Sequence, residues 1–357
     1  MTSSASPIRI GLIGYGYAGR TFHAPLIDSV PETTLACIAS SRPAEVLASR
    51  SASRVVVDPS DILKDDTIEL VVIATPNDSH ARWARAALEA GKDVVVEKPF
   101  TTSLADARAL CEIAQERHRL LAVFHNRRWD SDFLTVKHAI ESGSVGRAVH
   151  LESHFDRYRP HVRERWREAV GPGAGIWYDL APHLIDQALL LFGLPKGVTA
   201  TLRRMRNGAL ADDWAHAVLH YERASVIVHA SMLVAGGSPR FIVHGDKGSL
   251  VKCEPDQQEA QLLRGELPGS ADWGHDSDPL RRWDESGSEF LEPACRGDQR
   301  AFYRGVAAAV RGEAPNPTPA SQILAVMAVI EAGVRSSRDG KTVAPELEAQ
   351  LVVGSTL

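Results

Sequence analysis

An unbroken apolar run, Ile8–Ile13, leads directly into Gly14-Tyr15-Gly16-Tyr17-Ala18-Gly19, and a helix-permissive stretch follows. A strand that turns within a few residues into a helix commits the chain to a right-handed crossover and a parallel neighbour, which removes most alternative topologies. The three glycines have separate tasks. Gly14 permits the tight turn, Gly16 lets the backbone approach a diphosphate, and Gly19 lets the helix pack closely on the strand. Protein kinases share this spacing but also need a V-A-I-K strand and an H-R-D loop, and neither occurs here. The strand context favours a dinucleotide cradle built from Gly14, Tyr15, Gly16, Tyr17, Ala18 and Gly19 over a turn that binds nothing.

Apolar or β-rich runs at 8–13, 35–39, 55–57, 70–74, 93–97 and 121–124 alternate with helical patterns at 81–90, which ends at Gly91, and at 104–117. The alternation predicts an α/β Rossmann domain with a doubly wound parallel sheet, spanning residues 1–124. A chain of 357 residues exceeds what one hydrophobic core usually supports. The remainder, 125–357, carries β-rich runs at 148–154, 198–204, 215–221, 225–231, 240–244 and 249–252, interrupted by one apolar helix at 180–192. Short turns between these runs predict an α+β domain with an open, mostly antiparallel sheet covered on one face by that helix. Residues 254–300, rich in Asp, Glu, Gly and Pro, are expected to form a long surface excursion, with helices at 301–310 and 321–336. Whether these last helices pack back on the first domain stays open.

A formal charge of -5 gives no basic field for nucleic acid or an anionic membrane. Cys37, Cys111, Cys253 and Cys295 are spread without a C-x-x-C, so neither a disulfide framework nor a metal site is expected. The start of the chain is short and polar, and no apolar run approaches a membrane span, so a cytoplasmic protein is expected.

Cofactor choice is written about 20 residues beyond the glycines, where a carboxylate would bind the ribose hydroxyls of NAD. The second strand instead ends Ala39-Ser40-Ser41-Arg42. Small hydroxyls beside a guanidinium suit a 2'-phosphate, so NADP is expected over NAD through Ser40, Ser41 and Arg42. The alternative leaves Arg42 solvated and gives the ribose to Glu45. After the fourth strand come Thr75-Pro76-Asn77-Asp78-Ser79-His80, at a carboxyl end of the sheet where ligands sit in open α/β folds. Thr75, Pro76, Asn77 and His80 are placed beside the cofactor, although turn and cap roles fit the same residue types.

Glu97 and Lys98 lie at the carboxyl end of the fifth strand, and Pro99 restricts the backbone and permits a cis bond that could aim the lysine inward. Asp179 and His183 stand four apart at the head of the apolar helix, so they share a face. Asp179 as an N-cap, with Pro182 in the first turn and His183 as a core histidine, is the competing account.

The joint arrangement of these pieces resembles the Gfo/Idh/MocA family of dehydrogenases, in order and in spacing, from the N-terminus to at least the second sheet. More narrowly, Thr21-Phe22-His23-Ala24-Pro25-Leu26, Phe124-His125-Asn126-Arg127-Arg128-Trp129-Asp130 and Gly175-Ile176-Trp177-Tyr178-Asp179 look like a bacterial subgroup containing NADP-dependent scyllo-inositol dehydrogenases. The resemblance implies that Lys98, Asp179 and His183 are the catalytic lysine, aspartate and histidine. An imidazole titrates near neutral pH and can accept the proton of a secondary alcohol. Asp179 would orient that imidazole or bind substrate hydroxyls, and Lys98 would stabilise alkoxide charge. Polar contacts for a polyol or sugar are sought in Asn126, Arg127, His154, Asp156, Arg157, Tyr158 and Trp166, next to a cationic run that includes Arg159, Arg163, Arg165 and Arg167. The expected partners are a small polyol or sugar and a second copy, as a homodimer or homotetramer, with no nucleic acid and no membrane. The alternatives are reduction of another carbonyl, or nucleotide sensing without turnover.

Overall fold

The computed structural model describes residues 6–51 and 53–347, and these form two compact units. The first holds the N-terminal segment through Asn126 together with Gln258–Trp273 and Asp298–Ile323. Its strands are β1 (Ile8–Ile13), β2 (Thr33–Ala39), β3 (Val55–Val56), β4 (Leu70–Ile73), β5 (Asp93–Val96) and β6 (Leu121–Val123). They pair in parallel in the order β3-β2-β1-β4-β5-β6. Helices α1 (Ala24–Asp28), α2 (Pro43–Ser49), α3 (Ser60–Leu63), α4 (His80–Glu89) and α5 (Leu104–Glu116) make the crossovers. A sheet covered on both faces needs apolar residues at successive positions, and Leu70–Ile73 is buried throughout. Because the order reverses between β1 and β4, the loops leaving their carboxyl ends part to opposite sides and open a crevice there.

The free edge of β6 is closed by side chains. Val123 N donates to Thr318 Oγ1 at 3.0 Å, and Asn316 Nδ2 donates to Leu121 O at 2.8 Å.

The second unit holds Arg127–Gln257, Gly274–Gly297 and the chain from Leu324 onward. After α6 (Ser131–Glu141) come β7 (Ala148–Asp156), α7 (Gly175–Phe192), β8 (Gly197–Arg203), β9 (Trp214–His220), β10 (Ser225–Ser231), β11 (Phe241–Gly245) and β12 (Gly248–Lys252). Helix α8 (Gln258–Leu263) belongs to the first unit, and β13 (Leu280–Asp284) and β14 (Glu289–Glu292) return to the second sheet. Helix α9 (Arg300–Val310) lies in the first unit, and α10 (Ala320–Asp339) follows it. The eight strands run β14-β13-β12-β11-β7-β10-β9-β8, antiparallel except for β7 beside β10. Helix α7 packs on β7, β9 and β10, whose alternate residues are buried.

Two expectations are corrected. The stretch 254–300 is not a surface excursion, since it contains α8, β13, β14 and the buried Trp273. Its charged residues are partly cross-strand ion pairs, Arg281 with Glu289 and Arg282 with Glu292, the composition that keeps an outer strand from pairing with another chain. Helix α7 also starts five residues before the expected 180. Gly175 has φ +91°, and a Cβ there would lie 2.1 Å from Asp212 Oδ1. Asp212 accepts from Ile176 N through its carbonyl and from Trp177 N through Oδ2, each at 2.8 Å, so a distant residue caps the first turn. Asp179 is therefore inside the helix and not its N-cap, and Pro182 occupies the interior without its i→i−4 bond.

Arg240 is 2% exposed and donates to Asp132 at 3.0 Å, Ser153 at 2.7 Å and Gln187 at 2.7 Å, tying α6, β7 and α7 together. Replacing Arg240 by Leu removes the cation paired with the buried Asp132 carboxylate, and chemical denaturation should show a loss of about 3–5 kcal/mol. A second prediction concerns pH. Burial pushes the Asp212 carboxyl up to about 6, against about 3.9 when unfolded. The proton is thus held more tightly in the fold, so this group's stabilisation is complete below about pH 4 and disappears as pH rises through about 6. Between those values wild type should lose up to about 3 kcal/mol that Asp212→Asn does not lose. Parallel melting curves for the two proteins would contradict this.

Candidate active site

At the crevice of the first unit, Gly14 N donates to Ala39 O at 3.0 Å and its φ is +98°. A Cβ on Gly14 would lie 2.5 Å from Ala74 O, and one on Gly19 2.3 Å from Gly14 O, so both contacts demand glycine. At Gly16 a Cβ would meet no protein atom within 4 Å. The helix that follows begins at Tyr17, and Arg20 N donates to Gly16 O at 3.0 Å, so an anionic ligand would meet the N–H groups that precede Arg20. The residues present fit a dinucleotide diphosphate. Tyr15 is half-buried, and Tyr17 is exposed with its hydroxyl donating to Glu259 Oε1 at 2.7 Å.

At the end of β2, Ser40 Oγ accepts from Arg42 N at 3.1 Å, and Ser41 is exposed. The Arg42 guanidinium reaches Glu45 at 3.1 Å with both side chains more than 60% exposed. An exposed pair of this kind contributes roughly 1 kcal/mol or less, so it leaves the arginine available to a competing anion.

Beyond β4, Asn77 is buried, and Ser79 Oγ bonds Thr75 Oγ1 at 2.7 Å. His80 is fully buried and joins this loop to the next one: Nδ1 is 2.9 Å from Pro99 O and Nε2 2.9 Å from Thr75 O. Burial pulls its pKa down. The Lys98-Pro99 bond is cis. Glu97 is buried, and burial would raise its carboxyl, but the His23 ring 3.5 Å away and the charge of Lys98 outweigh that and lower it. Asn126 closes this unit, buried, with Nδ2 donating to Gln299 Oε1 at 3.0 Å.

In the second unit, Asp179 and His183 lie one turn apart on α7. His183 is 5% exposed, with its ring centroid 6.4 Å from that of Phe155. Asp179 Oδ1 is 3.3 Å from Arg167 Nε, and the Arg167 guanidinium lies 4.4 Å over the Trp166 ring. The structure thus brings Trp166, Arg167 and Asp179 together. Arg167 was visible in the sequence only as one of several cations, because nothing in its spacing reveals a partner twelve residues away. Arg157 N donates to Ser231 O at 2.8 Å, and Tyr158 bridges to Leu233 with its side chain exposed.

The strand period divides the remaining candidates. Phe155 faces α7, so His154 and Asp156 project from the opposite face of the sheet. There His154 contacts Glu152 at 3.0 Å and Asp156 at 3.6 Å, and His229 reaches Asp156 at 3.5 Å. Burial opposes protonation of His154, yet hydrogen bonds to Asp156 and Glu152 prevail and raise its pKa. Arg127 is buried in a pair with Asp130 at 2.9 Å and lies 4.8 Å over Phe155. His154 and Asp156 are therefore not brought to His183. Among the described residues no helix is long and apolar enough to cross a membrane, and no group of His, Cys, Asp and Glu has metal-holding geometry.

Comparison with known proteins agrees with this architecture. The model "Oxidoreductase family, NAD-binding Rossmann fold" matches residues 8–125, and "Oxidoreductase family, C-terminal alpha/beta domain" matches 137–344. The uncharacterized oxidoreductase YdgJ of Escherichia coli is 50% identical over 338 residues, covering 94% of this chain and 98% of its own. The scyllo-inositol 2-dehydrogenase (NADP(+)) IolW of Bacillus subtilis is 37% identical over 342 residues, covering 94% and 95%. A crystal structure from Klebsiella pneumoniae, 50% identical, matches with a TM-score of 0.92 over 97% of each chain. A glycine turn seated on Ala74, a lysine turn gripped by His80 and two family models matched in chain order lead to one assignment: the chain belongs to the Gfo/Idh/MocA oxidoreductase family.

Proposed function

We propose that this chain is an NADP-dependent dehydrogenase of a secondary alcohol in a polyol or sugar, with scyllo-inositol the first substrate to try. The observation that carries the proposal is the α7 pair: His183 buried against Phe155, and Asp179 one turn before it in the grip of Arg167. What a nicotinamide supplies when bound is a two-electron acceptor for hydride, returned in the reverse direction. The chain's residues must then manage the proton and the charge on oxygen. His183 accepts the hydroxyl proton on its imidazole, the role for which a group titrating near neutrality is suited. Asp179 orients a substrate hydroxyl or the imidazole, with Arg167 limiting the directions its carboxylate can take. Lys98 directs an ammonium to the oxygen as negative charge develops. His80 fixes the turn that carries it by holding Pro99 O. Trp166, Arg157 and Tyr158, from the loop that also supplies Arg167, offer polar and apolar contacts to a polyol ring, and a homo-oligomer built on the second unit is part of the same proposal.

The preference for NADP rests on Ser40, Ser41 and Arg42, which offer two hydroxyls and a weakly engaged guanidinium where a carboxylate would serve NAD. Support for the substrate class comes from the relative IolW, named as a scyllo-inositol dehydrogenase using NADP(+).

The proton-acceptor role is tested by His183→Ala. Turnover with scyllo-inositol should fall by roughly two to four orders of magnitude, while NADPH binding followed by fluorescence stays intact. Turnover equal to wild type would take His183 out of the chemistry. For the cofactor, kcat/KM should favour NADP over NAD by at least about tenfold, and Arg42→Ala should erase most of that ratio, about 1.4 kcal/mol or more. A wild-type preference for NAD would overturn the assignment of Ser40, Ser41 and Arg42.

A further inference from the structure

Glu97 immediately precedes Lys98, and its side chain is 8% exposed. His23, whose side chain has no exposed surface, lies between it and α9. Its Nε2 is 3.5 Å from Glu97 Oε1, and its Nδ1 is 2.6 Å from the hydroxyl of Tyr303. Tyr303 is itself fully buried, and the His23 ring is held by Phe124 at a centroid distance of 4.3 Å. The directions of the bonds follow from chemistry. A phenol in an apolar interior keeps its proton, and burial indeed pushes the Tyr303 hydroxyl well above the usual phenol range. The hydroxyl therefore donates to Nδ1. With Nδ1 accepting, a neutral imidazole carries its one proton on Nε2, the nitrogen that lies at ion-pair distance from Glu97 without hydrogen-bond geometry.

Without that ring the carboxylate would be buried at a cost that favours its neutral form. The charged or titratable groups facing it are His23, Lys98, His80 and Tyr303. Of these His23 presents its Nε2 3.5 Å from the carboxylate, and its tautomer is set by Tyr303, 280 residues further along the chain. A neutral Glu97 would withdraw the negative charge that acts on Lys98.

We propose that Tyr303 and His23 form a positioning relay that holds the Glu97 carboxylate charged and in place and, through it, orients Lys98. The catalytic consequence rests on the dehydrogenase reading above, whereas the effect on Glu97 does not. Neither residue touches substrate in this account.

The test uses Tyr303→Phe, His23→Phe and, as the conservative variant that restores an N–H donor, His23→Gln. The first measurement needs no turnover: the Glu97 carboxyl is titrated by carbon-13 NMR in the free protein. Its midpoint should rise by about one unit or more in His23→Phe, rise less in Tyr303→Phe, and return toward wild type in His23→Gln. The second measurement is the pH profile of kcat with scyllo-inositol. Ionised Glu97 is the competent form and its pKa is depressed in the native protein, so activity is lost as pH falls through that value. The acid limb should move to higher pH by the same amount, so that one unit below the variant's Glu97 midpoint kcat is about a tenth of its own plateau, with KM changed less than about threefold. An unchanged Glu97 midpoint in the variants overturns the relay, as does a fall in Tm with no movement of midpoint or acid limb, which would make both residues packing alone. Should His23→Phe not fold, Tyr303→Phe decides by the same criteria. A wild type that turns over no polyol or carbonyl defeats the dehydrogenase proposal and leaves the NMR titration to judge the relay.

Discussion

The first unit depends on one close approach, the backbone of Gly14 against the carbonyl of Ala74. It locks the turn leaving β1 to the loop leaving β4, the two strands between which the sheet order reverses. With a side chain at position 14 these loops would separate, and the crevice that receives a diphosphate would lose its floor. Neighbouring constraints build on this contact. Gly19 packs on Gly14, and His80, on the helix that starts beyond Thr75, reaches over to Pro99 and fixes the lysine-bearing turn of β5. Three consecutive carboxyl ends of the sheet are thereby tied by backbone contact and one imidazole before any ligand enters.

In the second unit the comparable anchor is a half-buried carboxylate. Asp212 lends backbone and side-chain acceptors to the start of α7, and Arg240 binds α7 to α6 and β7 through Gln187, Asp132 and Ser153. This rigid seat compensates for Pro182 inside the helix and sets the rotation of α7 that turns His183 toward Phe155. The helices and strand ends of this chain are held by buried polar contacts, and the more exposed residues 157–170 add the contact of Arg167 with Asp179 and Trp166.

What could be read from sequence follows the range of the interactions. The Rossmann sheet was legible almost strand by strand because a parallel sheet buried on both faces writes continuous apolar runs, and the glycine turn has a local steric logic. The order and spacing of Lys98, Asp179 and His183 carried the family. What escaped was long-range. Asp212 capping Trp177, Arg167 gripping Asp179 and Tyr303 reaching His23 leave no periodic trace. The strands β13 and β14 were hidden because ion-paired edge strands resemble loops in composition. His154 and Asp156 looked like binding residues from their polarity, but the two-residue alternation of β7 sends them to the face away from α7.

The treatment of the parallel sheet's two borders has a consequence for how these molecules meet one another. One border ends in β3, only two residues long, and at the other the exposed peptide groups of β6 are taken up by Asn316 and Thr318. A foreign strand therefore finds no open ladder to extend, and the sheet is protected from the edge-to-edge polymerisation to which unfinished borders are prone. Copies of this chain that associate therefore do not do so by adding backbone to backbone across this sheet.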